Sequence, residues 1–251
     1  MAERFTDKVV LVTGGGTGIG RATAVAFAAE GGTVVVTGPD EELLSETVQL
    51  IESGGGKAGL VVGDVTVEAD VERMVQATVQ QFGGLHVAFN NAGLMVPGRL
   101  ADLETSQWAT ALSVATGTWL SMKHEIRHMR ENGGGVIVNM SSIIGTRKPI
   151  PGTGAYGAAK SAISSITRTA AVEHIGDGIR INAVSPGPIG TPFSLLRNEN
   201  EDQQAARMKT TLPIGRVGTV AEVSSTVLWL ASAESSFVVG ADVVLDGGAT
   251  A

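Results

Sequence analysis

The 251-residue chain contains no cysteine, which excludes disulfides, thiolate nucleophiles and cysteine-ligated metals together; an intracellular setting is compatible with that but not required by it. Aromatic residues are only 4% of the chain, and a single tyrosine, Tyr156, is among them. Basic runs are also missing. With 18 Lys and Arg against 25 Asp and Glu the net charge is −7, so a nucleic-acid partner, which needs clustered cations, is not expected. Every long apolar stretch is interrupted by Gly, Pro or charge, and the opening MAERFTDKVV lacks the apolar core of a signal peptide. No membrane span and a cytoplasmic location are the expectations.

What the chain does have is glycine, 34 residues of it, in a composition that is 43% hydrophobic and 17% charged. That is the make-up of a folded protein rich in tight turns. Its length can bury a sizeable core but falls short of two full domains, so residues 1–251 are read as one domain.

Apolar runs alternate with helical patterns along the chain. Strands are predicted at Lys8–Thr13, Thr33–Thr37, Ala58–Val62, His86–Asn90, Val136–Met140, Arg180–Val184 and Asp242–Leu245. Between them the pattern predicts helices from about Gly18, over Asp40–Ser53, Val67–Gln81, Thr105–Arg130 and Ala155–Ile175, and a last one near Val220–Ala231. Strands such as VVLVT and VIVNM are apolar on both faces, as in a parallel sheet covered by helices on each side. The fold class is therefore α/β, a doubly wound Rossmann-like parallel sheet. The stretch from Pro186 to Gly218, rich in Pro, Gly and polar residues, reads as irregular; within it 188–215 is either a lid over a site or an ordinary surface loop.

Thr13-Gly14-Gly15-Gly16-Thr17-Gly18-Ile19-Gly20 joins the first strand to the first helix. Glycines let a backbone approach a pyrophosphate closely, and the amides and dipole at a helix start favour its charge. A tight turn alone is the structural alternative. Further on, Tyr156 and Lys160 are one helical turn apart and share a face. A phenol ordinarily titrates near pH roughly 10, and a neighbouring cation stabilises its phenolate, so the pair suits proton exchange with an alcohol or carbonyl. A packed aromatic beside a solvated lysine is the other reading of such spacing.

The T-G-x-x-x-G-x-G turn, Asn90-Asn91-Ala92-Gly93, Tyr156-x-x-x-Lys160, Pro186-Gly187 and the closing Asp246-Gly247-Gly248 occur in order and in fitting secondary structure. Together they make the chain resemble the short-chain dehydrogenase/reductase family over nearly its whole length. The resemblance implies reversible hydride transfer between a nicotinamide coenzyme and a secondary alcohol or ketone, on a homotetramer or dimer. It implies that Gly14, Gly16, Thr17, Gly18, Ile19 and Gly20 seat the pyrophosphate, and that Asp64 and Val65 hold the adenine. Asn90, Asn91, Ala92 and Gly93 would lie beside ribose and nicotinamide, and Pro186, Gly187, Ile189 and Thr191 near the carboxamide. Tyr156 would transfer the proton, Lys160 would lower its pKa and hold ribose, and Ser142 would position the substrate oxygen, with Ser141 as the runner-up. The substrate would be a small alcohol or carbonyl compound; Leu94, Met95, Ile143, Pro149, Ile150, Phe193, Leu195 and Leu196 are either its apolar pocket or plain packing.

Several positions depart from the family. After the second strand, Thr37-Gly38-Pro39-Asp40-Glu41-Glu42 offers neither the expected carboxylate nor a cation for a 2′-phosphate; the surrounding acids point to NAD(H) over NADP(H). The span from Ser142 to Tyr156 is one residue longer than usual, with the insertion expected in Thr146–Gly154. The long helix lacks the relay asparagine, whose place falls to Ala115 when aligned from Trp108, to Val114 when aligned from Gly117, or to a deletion between them that reconciles both anchors. That loss leaves open a second function, a nucleotide-binding sensor or scaffold with impaired chemistry. His86 stands where relatives often carry Asp and is read as a surface difference. Trp108, Trp119 and Trp229 are expected to pack helices. Finally, His124-Glu125-Ile126-Arg127-His128 fits the H-E-x-x-H zinc pattern, but only His86 and His174 remain as further histidines and neither has a supporting motif, so no metal is expected.

Overall fold

Alternate residues along each strand feed two different cores, and this division organises the chain. The computed structural model describes residues 3–194 and 199–251. Strands β1 (Val9–Thr13), β2 (Thr33–Gly38), β3 (Lys57–Val62) and β4 (Val87–Asn90) alternate with helices α1 (Gly18–Ala29), α2 (Glu41–Ser53) and α3 (Glu68–Phe82). The 27-residue α4 (Thr105–Glu131) leads to β5 (Gly135–Met140), α5 (Gly154–His174) and β6 (Ile179–Pro186). Helices α6 (Glu201–Thr211) and α7 (Val220–Ala231) precede the edge strand β7 (Asp242–Leu245). All strands pair in parallel in the order β3-β2-β1-β4-β5-β6-β7, the doubly wound single-domain sheet that the sequence predicts.

Val10, Val12, Val34 and Val36 enter one core with Phe27 of α1, Leu44 of α2 and Val223 of α7. Leu11, Val35 and Ile137 point the other way, onto Met74 of α3, Met129 of α4 and Ala171 of α5. Both faces of the central strands β1 and β2 are sealed, which is why their valine-rich runs show no polar face. Each such side chain contributes about 1.5–3 kcal/mol by leaving water. The chain runs outward from β1 to β3 and then crosses back to β4, on the other side of β1. Chain connections therefore diverge above Thr13 and Asn90, which are partners in register, and open a crevice at the carboxyl ends of these strands.

Three expectations need correction. The Pro186–Gly218 stretch holds a helix, α6, because Asn200 caps it: Asn200 Oδ1 accepts from Gln203 N at 2.9 Å while Gln203 Oε1 accepts from Asn200 N at 3.0 Å. His86 is half-buried, and its Nδ1 accepts the Val9 amide at 2.9 Å, so it ties the start of β1 to the approach to β4. Trp108, Trp119 and Trp229 are 39%, 50% and 36% exposed and lie on outer helix faces, with the Lys123 ammonium over the Trp119 ring. Among the described residues no helix is long and apolar enough to cross a membrane.

Candidate active site

The crevice floor is built by backbone packed on backbone. A Cβ at Gly20 would lie 2.1 Å from Gly14 O, so only glycine lets the first turn of α1 rest on the end of β1. Gly18 has a φ of +52°, and the nearest atom to a Cβ there is Thr191 Cγ2 at 3.6 Å; the glycine turn and the segment after β6 thus meet across the opening. Gly16 backs onto Leu43 of α2. Helix α1 starts after Thr17 with no side-chain cap and no acid in its first turn, which leaves its amides for an external anion. Ile19 packs against the core beneath.

Asn91 clamps this turn: its Nδ2 donates to Thr13 O at 3.1 Å and to Gly14 O at 3.2 Å, while Thr13 Oγ1 accepts the amides of Asn91 and Ala92. Gly93 follows, and a Cβ there would be 3.6 Å from Lys160 Nζ. Asp64 is exposed after β3, its Oδ1 accepting from Thr66 N and Oγ1 at 2.8 Å, and Val65 packs against Gly117 of α4. Gly187 donates its amide to Leu245 O, Pro186 O accepts from Ile143 N, and Ile189 is buried.

Tyr156 and Lys160, one turn apart on α5, are 6% and 3% exposed. Lys160 Nζ donates to Met140 O at 2.7 Å and lies 5.7 Å from the Tyr156 ring centroid. Burial pushes the phenol up to about 12, opposed by a hydrogen bond with Ser142, and burial pulls the lysine down to about 8. The phenol is thus raised by desolvation among the protein's own groups, against the lowering expected from Lys160. Ser142 Oγ accepts the Ile144 amide at 3.1 Å and faces Tyr156. Ser141 instead points into α5, donating to Lys160 O at 3.0 Å and sharing a 2.7 Å hydrogen bond with Ser164, which separates the two serines.

The family model described as enoyl-(acyl carrier protein) reductase matches residues 14–250. The chain belongs to the short-chain dehydrogenase/reductase family. A cis-4-hydroxycyclohexanecarboxylate dehydrogenase from Sinomonas cyclohexanicum is 39% identical over 253 residues, covering 100% of both chains. A cyclohexanol dehydrogenase from Acinetobacter sp. is 37% identical over 252 residues, 100% of this chain and 98% of that one. The crystal structure of levodione reductase superposes with a TM-score of 0.93 at 35% identity, covering 98% of this chain and 99% of that chain.

In this short-chain dehydrogenase/reductase α4 is one continuous helix; Val114 Cγ1 is 3.9 Å from a Cβ placed on Gly93, and Val114 packs with Ala159 and Ile163. Ala115 packs against the margin of the same cluster. Val114 and Ala115, the two positions considered for a relay residue, are thus both apolar side chains packed in one small cluster. The H-E-x-x-H residues separate: His124 bonds Glu68 of α3 at 3.3 Å, Asn132 Nδ2 donates to His128 O at 2.8 Å, and Glu125 turns into the core. Among the described residues no three His, Asp, Glu or Cys side chains gather into a metal-holding group.

Around the mouth Leu94, Ile150 and Phe193 are 36%, 40% and 48% exposed, whereas Ile143 is buried; Leu195 and Leu196 lie outside the described residues. Phe193 tilts over Tyr156 with ring centroids 5.9 Å apart. The 146–154 loop is fastened by Gly98 N to Gly152 O and by Lys148 Nζ to Ala249 O. Sequence reasoning missed the Met140 carbonyl that holds Lys160 and the inward turn of Glu125. A backbone acceptor leaves no residue signature; an acid inside an apolar helix face is a signal that was available.

Proposed function

We propose that Tyr156 is the acid and base of the hydride transfer that this oxidoreductase carries out between a nicotinamide coenzyme and a secondary alcohol or ketone. The observation that carries the reading is the convergence of Ser142, Tyr156 and Lys160 beside a glycine cradle that a Cβ would fill. A bound nicotinamide supplies the hydride donor or acceptor. In the reductive direction the neutral phenol of Tyr156 gives its proton to the carbonyl oxygen as hydride arrives at carbon. In the oxidative direction Tyr156 takes the hydroxyl proton as its phenolate; a Lys160 ammonium beside it would lower the cost of that charge below about pH 8, and above that pH burial leaves the lysine neutral. Ser142 Oγ holds the substrate oxygen against the phenol. Ser142 is well placed for this because a backbone amide already fixes its hydroxyl.

Coenzyme choice is NAD(H). Asp40 caps α2 through Leu43 N at 3.1 Å, Glu41 and Glu42 follow, and the neighbouring cation, Arg21, is taken up by Glu46 at 2.7 Å and by Thr47. A 2′-phosphate there would meet acids and no uncommitted cation. Residues Gly14, Gly16, Thr17, Gly18, Ile19 and Gly20 would hold pyrophosphate, Asp64 and Val65 adenine, Asn91 to Gly93 ribose, and Pro186, Gly187, Ile189 and Thr191 the carboxamide. The 188–215 segment serves as the lid. Its aromatic Phe193, with Leu94 and Ile150, favours compact apolar substrates, in line with the cyclic alcohols named for the two relatives. The exposed tryptophans on α4 and α7 supply apolar surface for a homo-oligomer.

Following NADH and NADPH absorbance with a panel of cyclic and open-chain ketones tests the reading. Turnover of cyclic ketones with NADH supports it, and turnover with NADPH alone removes the coenzyme choice. The apolar pair Val114 and Ala115, at the two positions considered for a relay, favours a second reading, a coenzyme-binding sensor. Tight NADH binding without turnover on the whole panel would select that reading.

A further inference from the structure

Glu125 is an acid with no exposed surface, in the middle of α4. Asn90 Nδ2 donates to its Oε2 at 2.9 Å, and its Oε1 has no partner. The same Asn90 nitrogen donates to Asn139 Oδ1 of β5 at 3.0 Å, and Asn139 Nδ2 donates to Thr167 Oγ1 of α5 at 2.9 Å. One buried polar chain thus links α4, β4, β5 and α5 directly below the crevice. Asn90 is also the residue from which the Asn91-Ala92-Gly93 strap leaves the sheet.

Among the described residues no cation reaches this carboxyl. On α4, Lys123 and His124 turn outward to Glu68 of α3, and His128 Nε2 is buried without a partner. Strands β4 and β5 carry no charged residue. On α5, Lys160 is committed to Met140 O, and on β6, Arg180 donates to Ser232 and Ser235. His86, before β4, accepts the Val9 amide. A carboxylate here would be a buried charge without a counter-charge and with one idle oxygen, an arrangement costing several kcal/mol.

We propose that Glu125 is a positioning residue that works as an uncharged hydrogen-bonding group, setting Asn90 and through it the Asn91–Gly93 strap on which the coenzyme rests. Burial, which pushes its carboxyl up to about 8, agrees with that geometry. The inference rests on the coenzyme reading above for its functional consequence, but not for its structural one. Ionisation of Glu125 in alkaline solution loosens the strap and weakens coenzyme binding.

The test compares wild type, Glu125→Gln and Glu125→Ala, with Glu125→Asp in place of alanine if that variant does not fold. Glutamine keeps the acceptor and carries N–H donors where the acid carries its proton. NADH affinity is measured by calorimetry from neutral to alkaline pH, and hydrogen exchange of the 88–95 backbone at neutral pH. The expected result is that Glu125→Gln matches wild type at neutral pH and loses less affinity above about pH 8; both proteins share the titration of Lys160, and the wild-type loss exceeds that of glutamine by about threefold or more. Glu125→Ala weakens NADH by about tenfold and speeds exchange of the strap, and glutamine restores both. Coincident alkaline losses in wild type and Glu125→Gln would overturn the proposal, as would a glutamine variant as damaged as alanine. Should wild type bind neither NADH nor NADPH, the coenzyme reading falls by itself. Exchange then decides for Glu125: a strap unchanged in the alanine or aspartate variant overturns its positioning role.

A stability measurement adds a sign. The carboxyl titrates near 4.5 in the unfolded chain and about 8 in the folded one, so its contribution is complete below 4.5 and is lost as pH rises towards 8. The melting-temperature advantage of Glu125→Gln over wild type therefore widens across that window and then levels off. A constant difference would overturn the uncharged state.

Discussion

The floor of the crevice and the segment over its mouth are held by different forces. In the floor, Gly20 rests on Gly14 O, Asn91 grips two carbonyls of the turn, and β1 and β4 fix both by their register. Over the mouth, Gly190 N donates to Gly218 O and Ile214 N to Gly247 O, and between these, among the described residues, Ser194 Oγ donates to Ile189 O, Gln204 Nε2 donates to Ser194, and Arg207 pairs with Glu199. Its Phe193 reaches across to Tyr156 but stays half-exposed. The floor is thus glycine backbone locked by one amide side chain, and the roof is a segment held by backbone pairs at its ends and by side chains between them.

The largest effect expected within this contrast is at the proton donor. Tyr156→Phe should lower kcat/KM by about a thousandfold with NADH affinity unchanged; retained turnover would remove Tyr156 from the chemistry. Next, Gly20→Ala presses a methyl onto Gly14 O and should cost about 1–3 kcal/mol, seen as NADH binding weakened tenfold or more or as an equal loss of stability. Its counterpart over the mouth, Phe193→Ala, should raise substrate KM about threefold to tenfold and leave NADH affinity alone. If the two substitutions disturbed the same parameter, the contrast between floor and roof would be lost.

The pH response sharpens the comparison further. With Tyr156 pushed up to about 12, ketone reduction should hold through neutral pH and decline in alkali, while alcohol oxidation climbs with pH because it needs the phenolate. Opposite slopes in initial-rate profiles are the expected outcome. Asn200→Ala removes the cap of α6 and should cost about 1 kcal/mol, confined to faster hydrogen exchange within that helix. The smallest effect is expected from Val114→Asn, which places an amide beside Gly93 and should raise oxidation by less than about tenfold. Unchanged rates would show that the enzyme does not depend on a relay at this position.

The same difference explains what could be read from the residues. Strands of the floor are apolar on both faces and the cradle needs glycine at fixed places, so β1 to β4, the turn and Tyr156 with Lys160 all leave a pattern. Helix α6 has only Ala205, Ala206 and Met208 as apolar residues in a polar run, and its one clear signal, Asn200 with Gln203, is easily taken for loop chemistry. His86 was legible as a histidine but not as the acceptor of a backbone amide, because that partner is 77 positions away. The Lys160 contact with Met140 O was hidden for the same reason: a carbonyl belongs to every residue type. Glu125 lay inside a metal-like motif that drew attention to its neighbours rather than to its burial.

Tyr156 is the chain's single phenol, and Phe193 lies against it. The protein therefore carries a built-in chromophore with no background of its own kind. Its ultraviolet phenolate band reads the proton state of one side chain without labelling. Its packing against Phe193 makes the same band sensitive to the surroundings of that one ring.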